Sequence, residues 1–280
     1  MTEDQISFLN ALAIRAGEEI LKIYAEPFDV ENKADGSPVT KADAAAEKII
    51  LAGLAERFPD IPVVAEESVE AGHLPSVGDR YFLVDPLDGT KEFLKKNGEF
   101  TVNIALIEGG TPVFGVVSAP ALAEIFWGGS IEENGGQHRK AFRGTIEGGR
   151  VAGVEPISVR TPPAAGLSVL ASRSHMSKDT ADLIGRLEVA EQLSVGSSLK
   201  LCWVAAGRAD LYPRLAPTMQ WDIAAGDAVV RAAGGAVVLA DTLEDFVYRV
   251  PENAAKDDLR NPHFLAAGSR ALLQDLAPAA

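Results

Sequence analysis

The chain has 280 residues, 47% of them hydrophobic, and a formal net charge of −14 at pH 7. This length can bury a substantial core and fits one large domain or two smaller ones. The acidic balance argues against a nucleic-acid polymer as the main partner, because no basic face is evident. It does not exclude a small anionic substrate, because bound metal ions can reverse the local field.

Cysteine content and hydropathy exclude further classes. The single cysteine, Cys202, excludes an intrachain disulfide and a multi-cysteine metal site. No apolar run approaches the ~20 residues that cross a bilayer, so no integral membrane segment is expected. Glu3 and Asp4 stand where a signal peptide would be basic. The expected location is the cytoplasm, and loose association with the inner membrane surface stays open.

The first half is predicted to form two helices and then an antiparallel sheet. Apolar residues every three or four positions predict an amphipathic helix over 2–25. A second helix is expected over about 40–58, with Thr40 as N-cap and Asp43 in the first turn. Short apolar runs predict strands, and Gly109-Gly110 predicts a hairpin turn. These strands are expected at 63–65, 81–84, 100–108, 112–118 and 122–127.

The second half is predicted to alternate strands with helices. Strands are expected at 167–171, 190–194, 209–212 and 236–239, and helices at 177–188, 197–207, 222–233 and 268–277. Such alternation is typical of an α/β unit. The segment 128–156 is rich in glycine and polar residues, so we place the change from the first domain to the second there. The predicted domains are 1–150 and 151–280.

The most informative segment is Asp85-Pro-Leu-Asp-Gly-Thr90, which directly follows the predicted strand 81–84. Pro86 is expected to end that strand, and Gly89 permits a tight turn. Asp85 and Asp88 on one stiff corner repel each other unless a cation lies between them. Mg²⁺ favours such oxygen ligands. The alternative is a turn in which both carboxylates only cap backbone amides.

Other candidate site residues also follow strands or open helices. Glu66-Glu67 ends a strand and could supply another oxygen ligand. Asp222 opens a helix, and so does the segment Gly196-Ser-Ser-Leu-Lys200, where free backbone N–H groups favour a phosphate. The segment Ser172-Arg-Ser-His175 follows a strand. Glu66-Glu67 also fits a pair of solvated carboxylates, and each of the other three sites also fits an ordinary cap. A serine hydrolase elbow and a P-loop are both absent from the sequence.

Three motifs in this order resemble those of the inositol-monophosphatase-like superfamily of Mg²⁺-dependent, lithium-sensitive phosphatases. They are Glu66-Glu67, Asp85–Thr90 and Trp221-Asp-x-Ala-Ala-Gly226, and the resemblance covers nearly the whole chain. It implies an α/β (α+β) fold: a layered αβαβα sandwich with an antiparallel half followed by an alternating half, as in sugar and inositol phosphatases.

Within the superfamily, Lys91-Glu-Phe93 and the run 97–105 resemble the 3′(2′),5′-bisphosphate nucleotidases of the CysQ type. The resemblance implies that the metal ligands are Glu66, Asp85, the carbonyl of Leu87, Asp88 and Asp222, with Glu67 as a weaker candidate. These would hold two or three Mg²⁺ ions, and Li⁺ would inhibit. Asp43 and Thr90 would orient and deprotonate the attacking water. The implied substrate-binding residues are Gly89, Thr90, His175, Ser197, Lys200, Arg214 and Asp222.

The implied activity is hydrolysis of the 3′-phosphate of adenosine 3′,5′-bisphosphate to give AMP and phosphate. 3′-Phosphoadenylyl sulfate is a further candidate substrate, which would link the protein to sulfate assimilation. The first alternative is an inositol-1-phosphate phosphatase with the same metals, and a same-fold sugar bisphosphatase is less favoured. A non-catalytic nucleotide sensor is the alternative of another class, and the complete acidic set speaks against it. A monomer and a homodimer both stay open.

Overall fold

The computed structural model describes residues 1–26, 30–32, 38–171, 177–274 and 276, with only the backbone for 30–32 and 38–40. The α-helices of these residues are Glu3–Ala25 (α1), Lys41–Arg57 (α2), Glu66–Glu70 (α3), Thr90–Leu94 (α4), Lys178–Ile184 (α5), Leu199–Ala205 (α6), Gln220–Ala232 (α7) and Arg270–Gln274 (α8). The first strands are Val30–Asn32 (β1), Pro38–Thr40 (β2), Val63–Ala65 (β3), Arg80–Asp88 (β4), Thr101–Glu108 (β5), Thr111–Ala119 (β6), Glu124–Glu133 (β7), Gly136–Glu147 (β8) and Arg150–Ile157 (β9). The remaining strands are Leu167–Leu170 (β10), Val189–Leu193 (β11), Leu211–Arg214 (β12), Ala236–Leu239 (β13) and Phe264–Ala267 (β14).

Helix α1 begins where its sequence predicts. Thr2 and Gln5 form a capping box: the Thr2 hydroxyl accepts from the Gln5 N–H at 3.3 Å, and Gln5 Oε1 accepts from the Thr2 N–H at 3.0 Å. These bonds pair backbone donors that a helix start leaves unsatisfied. The predicted helices over 2–25 and 40–58 are confirmed as α1 and α2. The side chain of Thr40, the predicted N-cap of α2, lies outside the described part of the chain.

The first sheet has seven strands in the order β3-β4-β5-β6-β7-β8-β9. Strand β3 pairs parallel with β4, and all later neighbours are antiparallel. Glu108 faces Thr111 across the predicted Gly109-Gly110 turn, which confirms that hairpin. The sheet continues through β8 and β9. These strands are half-exposed, which explains why the segment 128–156 can form strands and still be rich in polar residues. The first sheet therefore ends at Ile157.

Strand β4 continues through Pro86, so the prediction that the strand stops there is wrong. The pairing with β3 ends at Val84, and the register against β5 shifts between Asp85 and Asp88. Proline lacks a backbone N–H donor. Pro86 lies beyond the last β3–β4 pair and within the irregular register against β5, where a donor would have no partner in the sheet. Pro86 therefore shapes the strand end without terminating it.

The second sheet has five strands in the order β11-β10-β12-β14-β13. Strand β10 pairs parallel with β11 and β12, whereas β14 runs antiparallel to β12 and β13. Strand β14 was not predicted from the sequence. It inserts between β12 and β13 and makes the sheet mixed.

Five layers stack in the order helix, sheet, helix, sheet, helix, which confirms the predicted αβαβα sandwich. Helices α1 and α2 cover one face of the first sheet through the buried residues Leu9, Ile50, Phe82 and Ile104. Helices α6 and α7 fill the space between the sheets and share one core with both. Helices α5 and α8 cover the outer face of the second sheet. Within the described residues, no helix combines the length and hydropathy that a bilayer crossing needs.

Candidate metal centre and substrate cavity

The corner after β4 holds the first two acidic residues in place. Asp85 is 1% exposed, and its Oδ1 accepts from the Leu87 N–H at 3.0 Å. Gly89 follows with a φ of 94°, in the left-handed region that glycine tolerates, and α4 begins at Thr90. Asp85 therefore makes the turn bond expected of a capping residue and keeps its second oxygen for a ligand. The capping and metal-binding interpretations of this motif are compatible.

Acidic side chains from four separate elements converge on this corner. Asp43 in α2 and Glu66 and Glu67 at the start of α3 each place one carboxylate oxygen within 4.8 Å of the others. Glu67, the weaker ligand candidate, thus belongs to the acidic group. Asp222 stands in the first turn of α7, where its Oδ2 accepts from the Met219 N–H at 2.8 Å.

Mutual repulsion and burial perturb these acids. The pKa of Asp85 is raised well above the ordinary 3.8, first by burial and then by the negative charges of Glu66, Asp88, Asp222 and Asp43. Burial, Asp88 and Glu66 raise the pKa of Asp222 in the same way. Each carboxylate feels the others as like charges in a poorly solvated site.

The donor set fits a hard divalent cation. Glu66, Asp85, Asp88 and Asp222 offer carboxylate oxygens, and Leu87 at the same corner offers a backbone carbonyl. Oxygen-only sets of this kind suit Mg²⁺, and a bound divalent charge removes the repulsion that raises the pKa values of Asp85 and Asp222.

The acidic group opens into a cavity of about 290 Å³ between the two sheets. The predicted residues that line it are Glu66, Asp85, Leu87, Asp88, Gly89, Thr90, Ser197, Lys200, Arg214 and Asp222. Tyr212, Thr218 and Ile223 line it as well. Three predicted residues are not in this lining: Asp43 and Glu67 lie beside Glu66 in the acidic group, and His175 lies outside the described residues.

The side of the cavity formed by the start of α6 and the end of β12 is cationic. Lys200 is 7% exposed, and its Nζ donates to the carbonyls of Val195 at 3.2 Å and Ser197 at 2.8 Å. An ammonium has three donors, so one remains for a ligand. Burial lowers the pKa of Lys200 to about 8, an effect that the charge of Asp88 partly offsets. Lys200 thus holds its own loop in shape as well as facing the cavity.

Arg214, the other predicted cation, is anchored at one end. One terminal nitrogen donates to the Pro217 carbonyl at 3.0 Å. Its Nε is buried and has no hydrogen-bond partner within the described part of the chain. A buried donor without a partner is costly, and an anion in the cavity is one way to satisfy it.

Two further polar residues, not predicted as site residues from the sequence, belong to the site: Ser198 contacts the acidic group directly, and Asn103 contacts Ser198. The Ser198 hydroxyl reaches Asp88 Oδ2 at 3.2 Å, and Asn103 Nδ2 donates to Ser198 Oγ at 3.0 Å. Asn103 could have been identified from its position in the otherwise apolar strand β5, because a buried amide without a hydrogen-bond partner is costly. Ser197 has a φ of 58°, and its hydroxyl donates to the Asp88 carbonyl at 2.5 Å.

Fold and site together define a layered αβαβα protein with an acidic, oxygen-lined centre beside a cationic cavity wall. The sequence model of the inositol monophosphatase family matches residues 1–279. The chain belongs to the inositol monophosphatase family.

Known proteins of this family are similar along most of their length. A 3′(2′),5′-bisphosphate nucleotidase CysQ of Salmonella typhimurium is 42% identical over 255 residues, which are 90% of this chain and 95% of that protein. The protein of the same name from Escherichia coli strain K12 is 44% identical over 228 residues, 81% of this chain and 87% of its own. A crystal structure of CysQ from Bacteroides thetaiotaomicron, described as a bacterial member of the family, superposes with a TM-score of 0.75 at 38% identity and covers 95% of this chain and 97% of its own.

Proposed function

We propose that this protein is a Mg²⁺-dependent 3′(2′),5′-bisphosphate nucleotidase that hydrolyses the 3′-phosphate of adenosine 3′,5′-bisphosphate to AMP and phosphate. The observation that carries the proposal is one cavity with an acidic, oxygen-lined side and a cationic side formed by Lys200 and Arg214. A substrate with two phosphates needs both: one phosphate beside the metal and the other held by cations. The names of the CysQ relatives support this substrate class.

The metal would be held by Glu66, Asp85, the Leu87 carbonyl, Asp88 and Asp222, with Glu67 beside them. When bound, Mg²⁺ supplies positive charge that offsets the charge of the phosphate and of the leaving oxygen. We propose two or three ions and inhibition by Li⁺. The protein's contribution is to fix the ligands before the substrate arrives, through bonds such as Leu87 N–H to Asp85 and Met219 N–H to Asp222.

Asp43 and Thr90 are proposed to prepare the attacking water. Asp43 is 1% exposed in the first turn of α2, where the helix stabilises a negative charge. A buried carboxylate close to Glu66 is a suitable acceptor for the water's proton. Thr90 lines the cavity at the start of α4, and its hydroxyl would orient the same water.

The remaining 5′-phosphate is proposed to lie against Lys200 and Arg214. Arg214 suits paired contacts with phosphate oxygens, whereas Lys200 acts as a point charge. His175 stays a prediction as a third nucleotide contact. Ser197, whose hydroxyl already donates to Asp88, would contribute through its backbone. Gly89 lines the cavity and has no side chain, so it would let the substrate approach the backbone closely.

Several finer expectations remain proposals. They are activity on 3′-phosphoadenylyl sulfate, a link to sulfate assimilation, a cytoplasmic location, the monomeric or homodimeric state, and the division into domains at 1–150 and 151–280.

The direct test is phosphate release from adenosine 3′,5′-bisphosphate beside inositol-1-phosphate. Each substrate is assayed with Mg²⁺, with EDTA, and with Mg²⁺ plus Li⁺. We expect release from the nucleotide that requires Mg²⁺ and is blocked by Li⁺. A preference for inositol-1-phosphate would keep the metal chemistry and overturn the nucleotide assignment. Nucleotide binding without phosphate release would favour the sensor.

A further inference from the structure

Two consecutive serines before α6 connect metal-ligand candidates from different layers. The Ser197 hydroxyl donates to the carbonyl of Asp88, at the end of β4. The Ser198 hydroxyl lies within hydrogen-bond distance of Asp88 Oδ2, at 3.2 Å, and also of the Asp222 carbonyl at the start of α7. Asp88 belongs to the first sheet, whereas Asp222 belongs to the helical layer between the sheets.

Asn103 determines how the Ser198 hydroxyl is used. Its Nδ2 donates to Ser198 Oγ at 3.0 Å, so the hydroxyl oxygen accepts that bond. A hydroxyl has one proton, which must then go to the Asp88 carboxylate or to the Asp222 carbonyl. Asn103 is 1% exposed and Ser198 is 3% exposed, so water does not compete for these groups.

Ser198 lines the cavity and Asn103 does not. Both side chains are neutral. Their contacts end on Asp88 and Asp222, the two residues proposed to share one cation. Partners that hydrogen-bond to metal ligands fix ligand orientation, and their removal typically weakens metal binding about 10–100-fold.

We infer that Ser198, held by Asn103, is a positioning residue that fixes the Asp88 carboxylate relative to Asp222 and so preforms the cation site between the first sheet and α7. The inference rests on the proposed function only in assigning these two acids to a cation. It predicts that loss of the hydroxyl disturbs cation binding before it disturbs nucleotide binding, because Lys200 and Arg214 stay in place.

The test is calorimetric titration of the purified, metal-free protein with Mg²⁺ alone, followed by steady-state kinetics. The variants are Ser198→Ala, Ser198→Cys and Asn103→Ala. Ser198→Cys keeps the side chain near its size but has a weak donor, so it covers the case in which Ser198→Ala fails to fold. Ser194→Ala is the matched control, since Ser194 Oγ lies in the same segment, is buried, and has no hydrogen-bond partner within the residues described.

We expect Ser198→Ala and Ser198→Cys to weaken Mg²⁺ binding about tenfold or more. The KM for adenosine 3′,5′-bisphosphate at saturating Mg²⁺ should stay near the wild-type value. Asn103→Ala should act in the same direction, and the double variant should lose no more than Ser198→Ala, because both residues act through one hydroxyl. Ser194→Ala should match the wild type.

Unchanged Mg²⁺ affinity in a folded Ser198→Ala or Ser198→Cys protein would overturn the inference. The inference would also be overturned if Ser194→Ala weakened Mg²⁺ binding as much as Ser198→Ala does. Fully additive losses of Mg²⁺ affinity for the Ser198 and Asn103 substitutions would overturn it too. The Mg²⁺ titration involves no substrate. A wild-type protein that binds Mg²⁺ but releases no phosphate would therefore refute the proposed function alone and leave this test intact.

Discussion

Asp88 contacts both of the serines that precede α6. It lies at the end of β4, its carbonyl accepts from Ser197, and its carboxylate lies beside Ser198. Its charge raises the pKa values of both Asp85 and Asp222. Like charges in one buried site destabilise the metal-free fold, so a residue of this kind is retained for function and not for stability.

The substitution Asp88→Asn should therefore separate activity from stability. We expect phosphate release to fall by at least about 100-fold, the upper end of the loss seen when only a ligand's hydrogen-bond partner is removed. The melting temperature in EDTA should be unchanged or higher, since one repelling charge is gone. Asp60→Asn on the exposed surface is the control and should leave both measurements unchanged. Near-normal turnover in Asp88→Asn would contradict the assignment of Asp88 to the metal.

Lys200 should make nucleotide binding sensitive to alkaline pH. Burial lowers its pKa to about 8, so above that pH the side chain loses the proton that gives it charge. Phosphate groups are already doubly ionised there, because their second pKa is about 6. The KM for adenosine 3′,5′-bisphosphate should therefore rise as pH increases through about 8 in the wild type. Lys200→Arg keeps its charge and should remove this rise; an equal rise in both proteins would exclude Lys200 as its source.

At the scale of elements, α7 connects the site to the core. It places Asp222 at the cavity and packs against β6, where Gly115 lies directly beneath it. A Cβ at Gly115 would come 2.3 Å from the Ala225 carbonyl and 2.8 Å from the Ala225 Cα. Both atoms are backbone, so the helix itself would have to move.

Gly115→Ala should reduce both stability and metal affinity. Overpacking of this kind costs about 1–3 kcal/mol in the free energy of unfolding. The accompanying shift of α7 should move Asp222 away from Asp85 and weaken Mg²⁺ binding. Urea unfolding and Mg²⁺ titration measure the two effects. Gly78→Ala is the control, because no atom lies within 4 Å of a Cβ there. Wild-type unfolding of Gly115→Ala would show that the helix yields without cost.

The elements also show how far the sequence could predict this molecule. Periodic apolar residues correctly predicted α1, and the Gly109-Gly110 turn correctly predicted the β5–β6 hairpin. The helix expected over 40–58, with Asp43 in its first turn, is confirmed as α2. Strands β8 and β9 were missed because half-exposed strands in a twisted hairpin have many polar residues and glycines. Strand β14 was missed because its place between β12 and β13 is set by tertiary packing.

The site itself could be predicted where its residues lie in compact motifs. Asp85, Asp88 and their neighbours are contiguous in sequence, and the structure brings them together with Glu66 and Asp222. Asn103 and Ser198 are 95 residues apart, and their contact arises from the stacking of two layers. No local pattern in the sequence encodes such a pair.

At the scale of the whole molecule, the acidic cluster makes stability depend on pH and metal. In the metal-free fold the pKa values of Asp85 and Asp222 lie well above 3.8, so the folded state holds these protons more tightly than the unfolded chain. The resulting stabilisation is full below the ordinary Asp pKa and is lost as pH rises through the raised values.

We therefore expect the melting temperature in EDTA to fall as pH rises above about 4 towards neutrality. Excess Mg²⁺ should reduce that fall, because the cation binds the deprotonated acids of the folded state only. Paired thermal melts across pH, with EDTA and with Mg²⁺, measure both effects. A melting temperature in EDTA that is flat or rising over this range would show that Asp85 and Asp222 do not govern the metal-free fold.

The position of α7 between the sheets also has a consequence for how the chain is made. The strands of the first sheet are complete once Ile157 has been synthesised, yet the buried inner face that includes Leu83 and Phe126 packs against helices that come much later. During translation this face stays exposed to solvent until residues 220–232 leave the ribosome. A nascent chain that has emerged from the ribosome only as far as Ile157 should therefore bind chaperones or aggregate, even though its first sheet is complete. This tendency should end once α7 has emerged and covers the exposed face.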